Sequence, residues 1–421
     1  MRKRANFRNK GRIMTVADGS DENHSPRMGR RALATLAAAS GVAVGNVYLC
    51  QPLLDEIARN MKVPAQVSGL VAVGAQVGYA LGILFVLPLA DTIPARRLVR
   101  ILSIATALFL LAAALSPTMP LLIAASTLLA ATTVVPQILI PVVSGFSAPE
   151  HRGRIIGTLQ TGLILGILLS RTVSGSIAQV SGSWRVPYLL AAVLTGSLAV
   201  IVPRLIPARA DTARHTGYLN LLRSLPPLLR NRPLRLLMAL GFLVFAAFSA
   251  LWASLAFHLA SPEFRLGSAA AGLFGLYGAP GALLAPMAGR LSDRLGVFRI
   301  NLVSLAAVGS AFVFAGLPGA FSLTALVVTV NLLDFGLQSG QIANQTRIFA
   351  LGGNIRARVN TLYMVSTFGG GAVGSFAGSA AWSIAGWHGV CALALLLVGA
   401  AGVVLALNLR GQAAQSHPRG A

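Results

Sequence analysis

Asp334 is the one acidic residue that falls inside a long apolar run of this chain rather than between two such runs. An ionised carboxylate at the centre of a bilayer costs at least about 2.5 kcal/mol even on lenient insertion scales, so it must pair, protonate or line water. It has polar company. Asn331, Asp334, Gln338, Gln341 and Gln345 follow spacings of three and four, which puts all five on one helical face. A carboxylate on a face that must turn away from lipid can carry a proton or meet a charged substrate; a structural carboxylate bonded to neighbouring helices is the alternative. Arg171 is the one cation inside a run, with Gln160 and Ser174 on roughly the same side. A guanidinium keeps its proton in practice, so it needs a carboxylate, backbone carbonyls or a bound anion. Three roles fit it: a ligand for an anionic group, a partner of Asp334, or a staple between helices.

The elements that position these two residues follow from composition. The 421 residues are 55% hydrophobic and 11% charged, with mean hydropathy +0.73. A soluble domain carries about 25% charged residues, so this chain cannot present a normal soluble surface. Twelve apolar segments are expected to cross a membrane as helices, near 32–54, 66–90, 98–116, 119–146, 155–178, 186–205, 236–258, 268–288, 299–317, 320–345, 359–384 and 387–408. No ten-residue alternation occurs, which excludes a β-barrel. A soluble enzyme, a secreted scaffold and a nucleic-acid-binding domain are excluded as well, despite the net charge of +23. Cys50 and Cys391 sit in apolar runs and read as small buried hydrophobes. None of the six histidines lies deep in a segment, and no zinc, P-loop or esterase motif occurs, so no cofactor or metal is expected.

Orientation follows from the basic residues. With both ends in the cytoplasm, the tails and inner connections hold 29 of the 34 Lys and Arg, against four on the outer side: Arg59, Lys62, Arg185 and Arg265. This is a positive-inside distribution, and it places the basic residues where anionic inner-leaflet lipids attract them. The expected organisation is a basic N-terminal arm over 1–31, a six-helix half over 32–205, a linker over 206–234, a second half over 235–408 and a tail over 409–421. The arm has no apolar core, unlike a cleavable signal peptide. In the linker, Arg223 and Arg230 with Leu221, Leu222 and Leu225 suggest a short amphipathic segment, or a plain basic tether.

Three landmarks recur at nearly one offset. Asp91 and Asp293 are 202 residues apart, "Arg152-Gly-Arg154" and "Arg356-Ala-Arg358" are 204 apart, and Trp184 and Trp387 are 203 apart. Their common order and loop positions read as a six-helix duplication, the organisation of a transporter class whose binding site lies between the halves near the midplane. Gln341 has a repeat partner in Gln137.

The stretch "Gly289-Arg290-Leu291-Ser292-Asp293-Arg294-Leu295-Gly296" resembles the G-x-L-x-D-R-x-G loop signature of the major facilitator superfamily. The first-half copy, "PLADTIPARR", is degenerate but keeps Asp91, Arg96 and Arg97. "NVYLCQPLL" (46–54) and "LLDFGLQSGQIANQTRI" (332–348) look like a twelve-span bacterial branch grouped near drug and metabolite efflux proteins. The resemblance covers 31–408. It implies an all-α membrane protein of two pseudo-symmetric six-helix halves, in a bacterial inner membrane. It also implies that the loop residues form a conformational latch, and that helix 10 lines a central cavity with helices 1, 4 and 7. Asn46, Gln51, Gln76, Tyr79 and Trp252 could line that cavity too, or act as interhelical glue. Efflux relatives would carry a Gly/Pro-rich motif in helix 5; here it reads "GLILGILLSRTVSG", with no proline. The expected function is a secondary transporter that exports a small organic compound in exchange for protons carried by Asp334, as a monomer. An importer or facilitator on the same fold is the alternative, and a non-transporting sensor a more remote one.

Overall fold

The structure, a computed structural model, describes residues 29–145, 149–206, 217–281, 284, 296–317, 322–350 and 355–416. We label its long helices α1 (Arg30–Met61), α2 (Ala65–Asp91), α3 (Ala95–Ala114), α4 (Met119–Gly145), α5 (Pro149–Ser181), α6 (Arg185–Leu205), α7 (Arg232–Ala260), α8 (Ser268–Tyr277), α9 (Val297–Gly316) and α10 (Leu323–Ala350). The helical stretch Arg356–Ser416 bends at Ala385 and Gly386, and its two arms are α11 and α12. Among the described residues there is no strand.

Local sequence explains where the helices deviate. In α1 the α-helix stops at Tyr48, a 3-10 turn carrying Pro52 follows, and the helix resumes at Leu54. Proline removes a backbone donor and crowds the preceding turn, which breaks the ladder there. α2 ends in a π turn and a 3-10 turn that includes Pro88, and α4 breaks at Thr133 and Val134, just before Pro136. The bend between α11 and α12 falls where Gly386 takes φ +58°, a left-handed conformation that glycine adopts without steric cost.

Ten helices among the described residues are long and apolar enough to cross a membrane, where twelve were expected. The difference has two sources. The eighth segment is described as a helix of only ten residues, Ser268–Tyr277, and the last two segments run together as Arg356–Asn408 across the bend.

Close crossings on small residues recur at corresponding places in the two parts of the chain. Lipid supplies no hydrophobic drive for helices to associate, so small residues that let backbones touch do this work. In the first half, α1 and α5 run parallel with Ala37 against Gly162, Gly41 against Gly166 and Gly45 against Ser170. A Cβ added at Gly45 would lie 2.9 Å from that of Ser170. In the second half, α7 and α11 cross in the same way, with Phe242, Ala246 and Ala250 against Gly370, Gly374 and Gly378. A second pair is similar: Gly74 and Gly78 of α2 pack on Thr127 of α4, and Gly278 and Gly281, just past α8, pack on Val330, Asn331 and Asp334 of α10. Trp184 and Trp387 are both buried, and each donates its indole N–H over 3.1 Å, to Asn60 Oδ1 and to the Ala315 carbonyl.

The halves meet along α2 and α11, where Gly69 packs on Ser379 and Gly371 on Gln76, and along α5 and α8, which run antiparallel. Thr172 Oγ1 donates to the Gly272 carbonyl at 3.0 Å, Ser268 Oγ to the Gly175 carbonyl at 3.0 Å, and the Ala269 amide to Gln179 Oε1 at 3.0 Å. This seam lies at the end of the bundle remote from Arg30. Toward the other end α5 loses its cover: Gly153, Gly157, Gln160 and Thr161 are exposed, and a Cβ at either glycine would meet nothing within 4 Å.

Substitution of Gly166 tests the crossing. Gly166→Val should drive α1 and α5 apart and lower stability by about 1–3 kcal/mol or more, the usual cost of overpacking. Gly399→Ala, at a position with open space around it, should leave the thermal unfolding of the purified protein unchanged.

Candidate functional site

Arg171 reaches the interior from α5 at 1% exposure, and the break in α1 provides its anchor. Gln51 opens the 3-10 turn, and its Oε1 accepts from Arg171 Nε at 2.7 Å. The guanidinium carbon lies 3.7 Å from the ring centroid of Trp252, 4.9 Å from Tyr48 and 5.8 Å from Phe248. A desolvated cation over an indole face gains about 2 kcal/mol, and this contact bridges the halves, because Trp252 belongs to α7. One terminal nitrogen of Arg171 has no hydrogen-bond partner. Space for the side chain exists because α8 carries glycine there: a Cβ on Gly275 would stand 3.1 Å from that of Arg171.

Asp334, on α10, packs at 4% exposure beside Gly278, one helical turn past Gly275. Its Oδ2 rests against Gly278, which leaves no room for a Cβ, and has no hydrogen-bond partner. Arg171 meets Gly275 and Asp334 meets Gly278, so the two side chains are neighbours along one segment. No ion pair within 4.0 Å joins them. Two opposite buried charges therefore stand one turn apart on nearly the same glycine-lined face, each with an unused polar atom.

The other expected site residues divide. Asn331 is a staple: its Nδ2 donates to the Tyr277 and Val327 carbonyls at 2.8 Å, and its Oδ1 accepts from the Gly281 amide at 2.9 Å. Asn46 ties α1 to α6 through Thr195 Oγ1 at 3.1 Å. Gln137 donates to the Tyr79 hydroxyl at 3.4 Å. Gln338 is half-buried on α10. Gln341, also half-buried, borders a cavity of about 10 Å³ with Asn301, Ser304 and Tyr363, barely room for one water.

Arg96 donates through Nε and a terminal nitrogen to the Ile206 carbonyl at 2.7 and 2.5 Å, which ties the start of α3 to the end of α6. Arg97 is exposed and Asp91 half-buried at the end of α2. Gly289, Arg290, Asp293 and Arg294 lie outside the described residues. Among the described residues, no group of three or more His, Cys, Asp or Glu is placed to hold a metal.

What the sequence reading passed over is an aromatic ladder. From Trp252 the rings continue to Phe248 at 6.0 Å, Phe245 at 5.5 Å, Phe368 at 5.2 Å and Tyr79 at 4.5 Å. Phe245, Phe248 and Trp252 follow the spacing of three and four that marked the polar face of α10, so the signal in α7 was present. Phe368 carried none, because only the tertiary fold brings α11 beside α2.

A family model described as Major Facilitator Superfamily matches residues 36–350. YgaY, an uncharacterised transporter of Escherichia coli, is 38% identical over 362 residues, covering 85% of this chain and 90% of that protein. A probable transporter of Streptomyces coelicolor is 35% identical over 384 residues, covering 89% and 87%. Among solved structures, the peptide transporter POT in complex with alafosfalin superposes with a TM-score of 0.72 at 15% identity, over 90% of this chain and 94% of that one.

The two buried charges should be energetically coupled. Arg171→Met takes away the cation nearest Asp334, and Asp334→Asn leaves Arg171 with Gln51 and Trp252 but no neighbouring carboxylate, so each should destabilise the purified protein, the first more than the second. The double variant should be less destabilised than the sum, with a coupling of about 0.5–3 kcal/mol in a double-mutant cycle followed by thermal unfolding.

Proposed function

We propose proton-coupled efflux of a small organic compound for this chain, which belongs to the major facilitator superfamily. It is a multi-pass membrane transporter, not an enzyme. We take the fold to be twelve spans with both termini in the cytoplasm of a bacterial cell, where anionic lipids meet the basic inner loops, and the transporter to act as a monomer. On that orientation the α5–α8 seam is the outer end, and the exposed stretch of α5 borders an inner opening.

The observation that carries the reading is Asp334, a buried carboxylate on one half, set against Gly278 one turn from where the buried Arg171 of the other half meets Gly275. A bare carboxylate without contact partners costs several kcal/mol in such a place. Protonated, it costs much less, and Arg171 is then left to Gln51 and Trp252. The proton therefore favours the closed outer end. Loss of the proton to the inside, on substrate binding, makes the sealed arrangement costly, because Asp334 then seeks water or Arg171, and the outer end opens. Substrate leaves, a proton from outside takes its place on Asp334, and the seam closes again. This cycle is an antiport.

The loop residues fit the opposite phase. Asp91, Arg96 and Arg97 with Gly289, Arg290, Asp293 and Arg294 would form charge-assisted bonds across the inner face when the outer end is open. In the state described, Arg96 is held within its own half by Ile206.

Inside-out vesicles with an imposed proton gradient test the proposal. Cationic, neutral and anionic compounds are added in turn, and collapse of the gradient is followed for the native protein and for Asp334→Asn. We expect collapse with the native protein for one class of compound and none for the variant, which should still exchange substrate down its own gradient. Equal responses from the two proteins would remove Asp334 from the coupling path. Silence across the panel, followed by uptake in whole cells, would reverse the direction.

A further inference from the structure

Where the first-half helices α2 and α4 meet the second-half helices α7 and α11, a second cluster of polar atoms stands among aromatic rings. Gln76 is 1% exposed, and its side-chain Oε1 is buried with no partner. One turn on, the Tyr79 hydroxyl accepts the long bond from Gln137, so its own proton is free to donate. The rings of Phe368 and Phe245 close on this group, with Tyr79 and Phe368 centroids 4.5 Å apart and Phe245 and Phe368 5.2 Å apart. Gly371 sits where they converge: a Cβ there would lie 2.7 Å from the Phe245 ring and 3.0 Å from Gln76 Oε1. Arg171 lies beyond Phe248 and Trp252, already engaged by Gln51.

We propose that Gln76, Tyr79 and Gln137, with the rings of Phe245 and Phe368, form the recognition site for the transported compound, and that this compound is an uncharged aromatic or heteroaromatic molecule bearing a hydrogen-bond donor. The proposal rests on the transport reading above and adds the substrate class to it. Three considerations lead here. The cluster spans both halves, so alternating access must part it, and a ligand can enter between groups that now touch. A buried acceptor left without a partner costs about 1–3 kcal/mol, a cost that a donor on the ligand removes. Offset or edge-on rings about 4.5–7 Å apart give flat ligands a favourable surface. A charged ligand would instead be desolvated among amides and a phenol with no counter-charge, which is unfavourable by several kcal/mol.

The test reads binding, which needs no proton movement. Purified protein in detergent is heated with ring compounds of matched shape: indole and 2-quinolone as neutral donors, benzofuran as a neutral ring without a donor, N-methylquinolinium as a cation and indole-3-carboxylate as an anion. The neutral donors should raise the unfolding temperature, benzofuran less, and the two ions not at all. Gln76→Leu should weaken the neutral donors about tenfold and bring them level with benzofuran. Tyr79→Phe keeps the ring but removes the hydroxyl that accepts from Gln137, and should weaken binding of the neutral donors by more than any drop in the unfolding temperature of the free protein accounts for. Stabilisation by the ions equal to that by indole, no response to either neutral donor, or full discrimination retained in Gln76→Leu would each overturn the assignment. Asp334→Asn should keep the indole response. Loss of gradient collapse with retained binding therefore speaks to the coupling role alone, and lost binding with retained coupling to the recognition site alone.

Discussion

A guanidinium that keeps its charge has been carried to the centre of a helical bundle, and much of the surrounding architecture makes that tolerable. Arg171 is desolvated, so every contact it makes counts for more than it would in water. The proline break in α1 turns Gln51 toward it, α7 lays Trp252 beneath it, and two side chains are left out at Gly275 of α8 and at Gly278 just past its end, so that Arg171 and Asp334 fit one turn apart. Each of these features is local to a different helix. None has an obvious reason alone, and together they surround one cation.

That arrangement also decides how the halves can move. Arg171 is bonded to its own half through Gln51 and stacked on the other half through Trp252. A hydrogen bond to a cation is directional and strong, whereas a cation over a ring tolerates sliding. Parting the halves on that side thus breaks the stack before the bond, and Arg171 travels with α5. The backbone contacts within each half, α1 on α5 and α7 on α11, are of another kind: glycines pressed against backbone, with no side chain to rearrange. Close-packed interfaces of this sort move as units. The seam of α5 and α8 is packed in the same way, with Gly175 against the Ser268 carbonyl and Gly272 against that of Arg171.

The aromatic ladder connects the two polar regions. Rings run from the Arg171 stack through Phe248, Phe245 and Phe368 to Tyr79, crossing from one half to the other. Shifts at either end of a packed row of rings are felt along it, because interiors of this density have little free volume. Asn46 and Asn331 lie off this row and hold helices together instead.

The sequence alone determined a great deal about this protein. Eleven per cent charged residues and segments the length of a bilayer leave a polytopic helical protein as the one physical solution. The nearly constant offset between Trp184 and Trp387, and between the two Arg-x-Arg pairs, points to a duplication, and close crossings on small residues recur in both parts of the chain. The charges in the apolar runs, Arg171 and Asp334, declare themselves by cost, since a charge in hydrocarbon demands a reason. Their surroundings were another matter. Helical periodicity says which residues share a face and nothing about which helix that face meets, so Asn331 and Gln338 look alike in sequence, while one caps α8 and the other does not. That Arg171 would choose an amide and an indole over direct contact with Asp334 depends on where α1, α7 and α8 lie relative to α5. Contacts between residues over a hundred positions apart are decided by packing geometry, and only the tertiary structure contains it.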